Sequence, residues 1–360
     1  MSPEEFADIL AFDGEFIQES FAGWSLAGRS LPAVSFLECD LTGVDFTGCR
    51  FEGTTFLQCR LEGARFRDAT MKSVRFVDCG LTGLRFDGAT LVESSFLKCN
   101  LVNTRFDGAR FERTMIVTGQ VEGASFARSV LFRSGILEAG FRRCDLTDAN
   151  LELVIVTGAD LRDCPVAGLR AESVMLMEAQ LDGLDLSGLS LARCNFMKSS
   201  LVGVDLSGCD LTQSNFQEAA LAGASLTGAR APMSLFIKAN LTRAKMAGMD
   251  LTYAILDGAA LDGAVLDGCR MELAQLKSVS ARGVRLRRAD LTNADASHAD
   301  LTAVDLSGAN VYRLNLHGAT YAPIANGVGH ATTLGTDDDR AIAELYDPIA
   351  VEHRLRTRRR

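Results

Sequence analysis

Cysteines, histidines and paired carboxylates are the residues of this chain whose types and spacing bear on chemistry. Ten cysteines stand at 39, 49, 59, 79, 99, 144, 164, 194, 209 and 269. Cys39, Cys59, Cys79 and Cys99 recur every twenty residues, a ladder that would suit a thiolate-loving metal if a ligand set were complete. No Cys-x-x-Cys pair and no nearby histidine completes one, so the ladder points to small apolar side chains inside a repeating structure. Disulfides along it are not expected, because stacked Cβ atoms point in parallel. Free thiols in this number suit a reducing cytoplasm. The four histidines are His298, His317, His330 and His353; the first two fall on outward positions late in the chain, the others in its last segment. None accompanies a nucleophile or metal ligands, and no P-loop, dinucleotide fingerprint or His-Glu-x-x-His occurs. Carboxylates such as Asp257 and Asp262 recur at a regular outward spacing, which makes them solvated surface rather than the lining of a dry pocket. The expectation is no catalytic residue, no cofactor and no metal.

What positions these residues is a period of five. Every fifth residue from Phe16 to Tyr321 is apolar, 62 positions without a slip of phase. In a chain that is 47% hydrophobic, chance does not produce such a run. Five is neither the helical 3.6 nor the strand 2.0, and a self-similar array of this length is one stacked object. Two residues before each apolar centre lies a second inward class, Val34, Cys39, Val44, Cys49, Thr54, Cys59, Ala64 and onward, never charged from 34 to 319. All ten cysteines belong to it. The other three positions hold nearly all the charges and most of the glycines.

Units such as Cys39-Asp40-Leu41-Thr42-Gly43, Ala159-Asp160-Leu161-Arg162-Asp163 and Ala309-Asn310-Val311-Tyr312-Arg313 resemble the pentapeptide-repeat family, whose pattern is Ala-Asp/Asn-Leu-x-x. The resemblance covers about residues 16–321. It implies an all-β fold, a right-handed quadrilateral parallel β-helix with one pentapeptide per side and twenty residues per coil. That makes about fifteen coils and, with strands ~4.8 Å apart, a rod roughly 70 Å long. The sequence agrees with a twenty-residue coil. Phe16, Phe36, Phe56, Phe76 and Phe96 form one column, and Phe46, Phe66, Phe86, Phe106 and Phe126 another on the opposite side. Beyond residue 140 the centres are mainly leucine.

The expected organisation is a helical cap over 1–15, the repeat over 16–321, and a C-terminal loop, short helix and basic tail over 322–360. Ser2-Pro3-Glu4-Glu5 starts a helix over about 3–11, which places Phe6, Ile9 and Leu10 over the first coil. Residues 322–336 have the composition of an irregular loop. Asp337 to Tyr346 predicts a short helix, with Thr336 as cap and Pro348 beyond its end. No leader peptide and no apolar run of membrane-spanning length is evident.

Net charge is −9, thinly spread. No segment is basic enough for a nucleic-acid groove, so no nucleic-acid partner is expected. One outward column differs from the rest: Ile17, Leu37, Leu57, Val77, Leu97, Val117, Leu137, Thr157, Met177, Met197, Gln217 and Ile237, one residue after each centre of one side. Two residues earlier, Met115, Ile155, Met175, Leu235 and Ile255 widen it. A charged column of Glu38, Asp78, Lys98, Glu138, Glu178 and Lys198 flanks it. The corresponding columns of the other three sides are polar or mixed. A contiguous exposed apolar strip marks an interaction surface, and methionines make it adaptable. The candidate interface is therefore Leu37, Leu57, Val77, Leu97, Met115, Val117, Leu137, Ile155, Met175, Met177, Met197, Leu235 and Ile237, meeting a protein partner or a second copy.

Two functions are in view. The first is a non-enzymatic scaffold that binds protein through the strip; long capped members of the family, and the closing coils from Ala289-Asp290-Leu291-Thr292-Asn293 onward, resemble accessory components of bacterial secretion machinery, including type VI systems. The second is a DNA mimic that binds a type II topoisomerase (gyrase), which the likeness to quinolone-resistance pentapeptide proteins implies. That role calls for a dense acidic surface, whereas Arg65, Arg85 and Arg105 stack as a basic column here.

Overall fold

The computed structural model describes residues 3–12, 14–321, 333–337 and 341. It is a right-handed parallel β-helix of about fifteen turns. We number the four sides by their first centres, Phe16, Phe21, Leu26 and Leu31. Residues twenty apart lie in register on every side, as in Phe36↔Phe56 and Phe51↔Met71. The centres face inward and are almost wholly buried.

The sides are of two kinds, a distinction that composition does not announce. On the second and third sides the units close as tight turns, with the amide three residues beyond the centre donating to its carbonyl, for example Trp24 N to Phe21 O at 2.9 Å; the Phe141 unit is an exception, its Cys144 amide donating to Cys164 Sγ. The residue two after the centre then needs positive φ, and glycine meets that need at Gly23 (φ 74°) and Gly28 (φ 72°). On the first and fourth sides, eight coils instead form short parallel strands, from Glu15–Ile17 to Ile155–Val156 and from Ser30–Pro32 to Arg170–Glu172. Val34, Thr54, Val74, Thr114 and Val154 lead into the first-side strands, and β-branched residues favour that extended backbone. Later the same position is Cys194, Ser214, Ser234 and Ala254, and the first side too is joined by single bridges.

Aromatic rings fill the N-terminal core. Phe56 stacks on Phe76 at 4.7 Å and Phe66 on Phe86 at 4.8 Å, while rings of opposite sides meet edge to face, Phe66 with Phe76 at 5.7 Å. Both are favoured geometries for aromatic quadrupoles. The small inward class does more than fill space. Its thiols and hydroxyls donate to the carbonyl of a centre one coil back: Cys49 Sγ to Leu26 O at 2.9 Å, Thr54 Oγ1 to Leu31 O at 2.8 Å and Ser199 Oγ to Leu176 O at 2.6 Å. Cysteine here is therefore a donor as well as a small hydrophobe.

The unbroken sequence phase hides a local irregularity. Val121 N bonds Ala139 O, and Asp160 N bonds Phe141 O, so the ladder bulges at Gly140, whose φ is 54°. Phe141 adjoins the bulge. It stands in a second-side column that is otherwise leucine or valine from 41 to 261, and its ring reaches Phe126 at 6.0 Å. A dry void of about 30 Å³, lined wholly by apolar side chains from Phe126 to Phe196, follows on the axis.

Both ends of the core are covered in part by described residues. The helix Pro3–Phe12 stacks Phe6 on Phe16 at 5.0 Å and sets it edge-on to Trp24 at 5.8 Å; Ile9 and Leu10 pack beside it. The stretch 322–336, read from sequence as irregular, ends in ladder geometry. Leu334 bridges Asn315 on the first side, with Leu316 N to Leu334 O at 2.8 Å. This corrects the placing of His317 as an outward residue: it is buried, and its Nδ1 accepts the Asp337 amide at 3.2 Å. Ala341 N bonds Asp337 O at 2.9 Å, one helical turn. Ser2, the rest of the expected C-terminal helix and the basic tail lie outside the described residues.

Candidate protein-interaction face

The helix brings all thirteen candidate residues to the first side. Leu37, Leu57, Val77, Leu97, Val117 and Leu137 stand directly one above another. Met177, Met197 and Ile237 continue the column, and Met115, Ile155, Met175 and Leu235 lie in the neighbouring one. Leu97, Ile155 and Met175 are exposed. The other ten are half-buried. Thr157 interrupts the column for a reason: its hydroxyl accepts the Glu138 amide at 3.1 Å. Gly135 is closely roofed, since a Cβ there would come within 2.6 Å of Met115 Cε.

The corners that bound this side carry a signal that the outward columns alone did not reveal. Corner residues take positive φ on every side. At the second- and third-side corners glycine holds 10 and 11 of 15 positions. The first-side corner from 18 to 238 has one glycine in 12, Gly158, and the fourth-side corner from 33 to 313 has one in 15, Gly53. A left-handed conformation costs an L-residue about 1–2 kcal/mol relative to glycine. From Met175 to Ala299 all four sides are joined alike by single bridges, so the backbone there does not ask for this difference. Both edges of the first side thus keep full side chains at a conformational cost. Four are large and apolar: Leu153, Met233, Tyr253 and Leu273, 43–55% exposed. Met233, Tyr253 and Leu273 follow at twenty-residue intervals beside Leu235, Ile237 and Ile255, and extend the face toward the C-terminus. Their spacing was legible; their exposure was not.

Charge is arranged differently elsewhere. On the third side Arg65, Arg85 and Arg105 lie rung on rung, but aspartates neutralise them: Asp45 is 3.9 Å from Arg65, Asp87 2.7 Å from Arg85 and Asp107 2.5 Å from Arg105. A polar concavity between the third and fourth sides, lined by Asp148, Glu152, Arg170 and Glu172, is open and of mixed charge. Burial pushes the Cys194 and Cys269 thiols up to about 12 and the Cys49 thiol up to about 11. Among the described residues no group of three metal-ligating side chains converges, and no helix is long and apolar enough to cross a membrane.

Two family models match the chain: a pentapeptide repeat region over residues 29–106 and 49–126, and pentapeptide repeats (8 copies) over segments that run from 176 to 320. Among solved structures, the chain is similar to HetL, a pentapeptide repeat protein involved in heterocyst differentiation regulation from the cyanobacterium Nostoc sp. strain PCC 7120, with 23% identity over 73% of this chain and 99% of that one and a TM-score of 0.22. It is similar to QnrB1, a plasmid-mediated fluoroquinolone resistance protein, with 16% identity over 59% and 93% and a TM-score of 0.29. A pentapeptide repeat protein of the Arabidopsis thaliana thylakoid lumen is 31% identical over 28% and 67%, with a TM-score of 0.16. No curated protein sequence matches the chain.

Proposed function

We propose that this chain, which belongs to the pentapeptide-repeat family, is a non-catalytic scaffold that docks a protein along its first side. The observation that carries this reading is the pairing of an apolar ladder with two corners that forgo glycine on either edge of it. A merely structural preference for apolar residues would enrich all four sides and would leave strained corners to glycine. The free, buried thiols support work in a reducing compartment such as the cytoplasm. The DNA-mimic reading receives less support: the third side presents arginines already matched by aspartates, not an unbroken acidic face.

The test is partner capture with wild type and with Leu97→Asp plus Leu137→Asp, against a Val202→Asp control on the second side, where Val202 is 45% exposed. Both variants should keep the wild-type circular dichroism, and only the first-side variant should lose association. Binding that survives Leu97→Asp with Leu137→Asp would sink the proposal.

A further inference from the structure

We infer that the occupant of the first side is a second copy of this chain, packed face to face and antiparallel about a two-fold axis beside Gly135 and Leu137. This rests on the reading that the side is an interface, and it names the partner. Such an axis sets each edge against the same edge of the partner. A rung a given number of coils before Leu137 meets the rung the same number after it.

The charges along the first-side corner fit that symmetry. Glu38, Asp78, Lys98, Glu138, Glu178, Lys198, Glu218 and Lys238 are all exposed, and among the described residues none of the eight joins an ion pair. Glu38, Asp78 and Glu218 accept only from the neutral amides of Gln18, Gln58 and Gln217, whereas other columns pair by charge, as Lys72 does with Glu52 at 2.7 Å. About Glu138, Lys98 meets the partner's Glu178, Asp78 meets the partner's Lys198, and Glu38 meets the partner's Lys238. All three pairs are opposite in sign. An axis half a coil later sets Lys98 against the partner's Lys198, and one coil later sets Glu138 against the partner's Glu178. An axis one coil earlier, at Thr118, keeps opposite signs in only two pairs and leaves Leu235 and Ile237 with no facing rung.

The apolar columns follow the same symmetry. Leu97 faces the partner's Met177, Val77 the partner's Met197, Leu37 the partner's Ile237 and Met115 the partner's Ile155. Gly135 lies on the axis under the tip of Met115, so Met115 and Leu137 form the contact surface there. The face from Glu38 to Lys238 is ten steps of ~4.8 Å long and roughly 15 Å wide, on the order of 700 Å², near the ~800 Å² per partner of a stable complex. Only the rung on the axis sets like against like, Glu138 at one edge and Arg133 at the other.

Analytical ultracentrifugation and light scattering on the full chain decide the matter. Wild type should dimerise. Lys98→Glu should weaken the dimer about ten-fold or more, Lys98→Glu with Glu178→Lys should recover most of that loss, and Glu138→Gln should tighten it. Under oxidation Leu137→Cys, on the axis, should cross-link to its own copy, and Leu37→Cys alone should not. A wild type still monomeric at about 100 µM, where even weak pairing shows, overturns the self-pairing. So does a dimer indifferent to Lys98→Glu, or one in which Leu37→Cys cross-links as readily as Leu137→Cys. If wild type is monomeric while Leu97→Asp with Leu137→Asp abolishes capture of another protein, the interface stands and only the second copy falls. If neither responds, both fall.

Discussion

The first eight coils and those after Met175 are built from one repeat and hold together differently. In the first region phenylalanines stack on two opposite sides and two adjacent sides run as strands. In the second, leucine and alanine fill most of the core. Both are tied by charge outside, with Lys72 on Glu52 and Arg105 on Asp107 in the first and Arg270 on Asp250 and Arg287 on Asp305 in the second. Ring stacking and strand geometry are separable: Phe196, Phe216 and Phe236 stack at 4.9–5.0 Å on a first side that has no strands there. What is common to both regions is the ladder of backbone hydrogen bonds; what differs is the material placed on it.

Four perturbations bear on that contrast. The largest effect is expected for Phe76→Ala, which removes a ring stacked on both neighbours and should cost about 3–5 kcal/mol. Hydrogen exchange should show the loosening centred on the coils between Phe56 and Phe96, with the leucine-cored coils beyond Met175 little changed. A loss under about 1 kcal/mol would mean that the rings do not carry the N-terminal core. Next, Tyr253→Gly relieves a left-handed corner (φ 58°) and should raise stability by about 1–2 kcal/mol in denaturant unfolding, while weakening whatever binds the first side. A destabilised variant would show that the corner side chain serves the fold instead.

A smaller effect is expected at Cys79, whose thiol donates to Phe56 O at 3.4 Å. Cys79→Ala should be less stable than Cys79→Ser by about 1 kcal/mol, measured by thermal unfolding; equal values would reduce the cysteine to a spacer. The last effect appears only in acid. Asp300 is held at about 2 by the Thr302 hydroxyl, Arg282 and the Thr302 amide, and Asp305 at about 2 by Ser307 and Arg287. Because these folded-state values lie below the ordinary carboxylate range, the stability they add is present above about pH 4 and is lost as pH falls toward 2. Protection factors from hydrogen exchange, corrected for the intrinsic rate at each pH, should therefore fall in the coils around Asp300 at pH 3 relative to pH 6, and Asp300→Asn with Asp305→Asn should remove that difference.

Much of the architecture was legible because each side is made by five consecutive residues. The centres, the inward cysteines and the outward ladder from Leu37 to Ile237 follow from position alone. Cys49 illustrates the limit: its inward placement is local, but its bond to Leu26 O needs the coil beneath it. His317 illustrates another, since its position in the unit is outward and only residues 333–337 bury it.

The sequence by itself determined the phase of the helix and which side is apolar, because a period of five without a slip leaves one way to keep 62 apolar residues out of water. The tertiary structure alone decided which sides extend into strands, where the ladder bulges at Gly140, which corner side chains stand in solvent and which charges find partners within the chain. Those depend largely on contacts between one coil and the next, where packing against a neighbour overrides what five residues prefer.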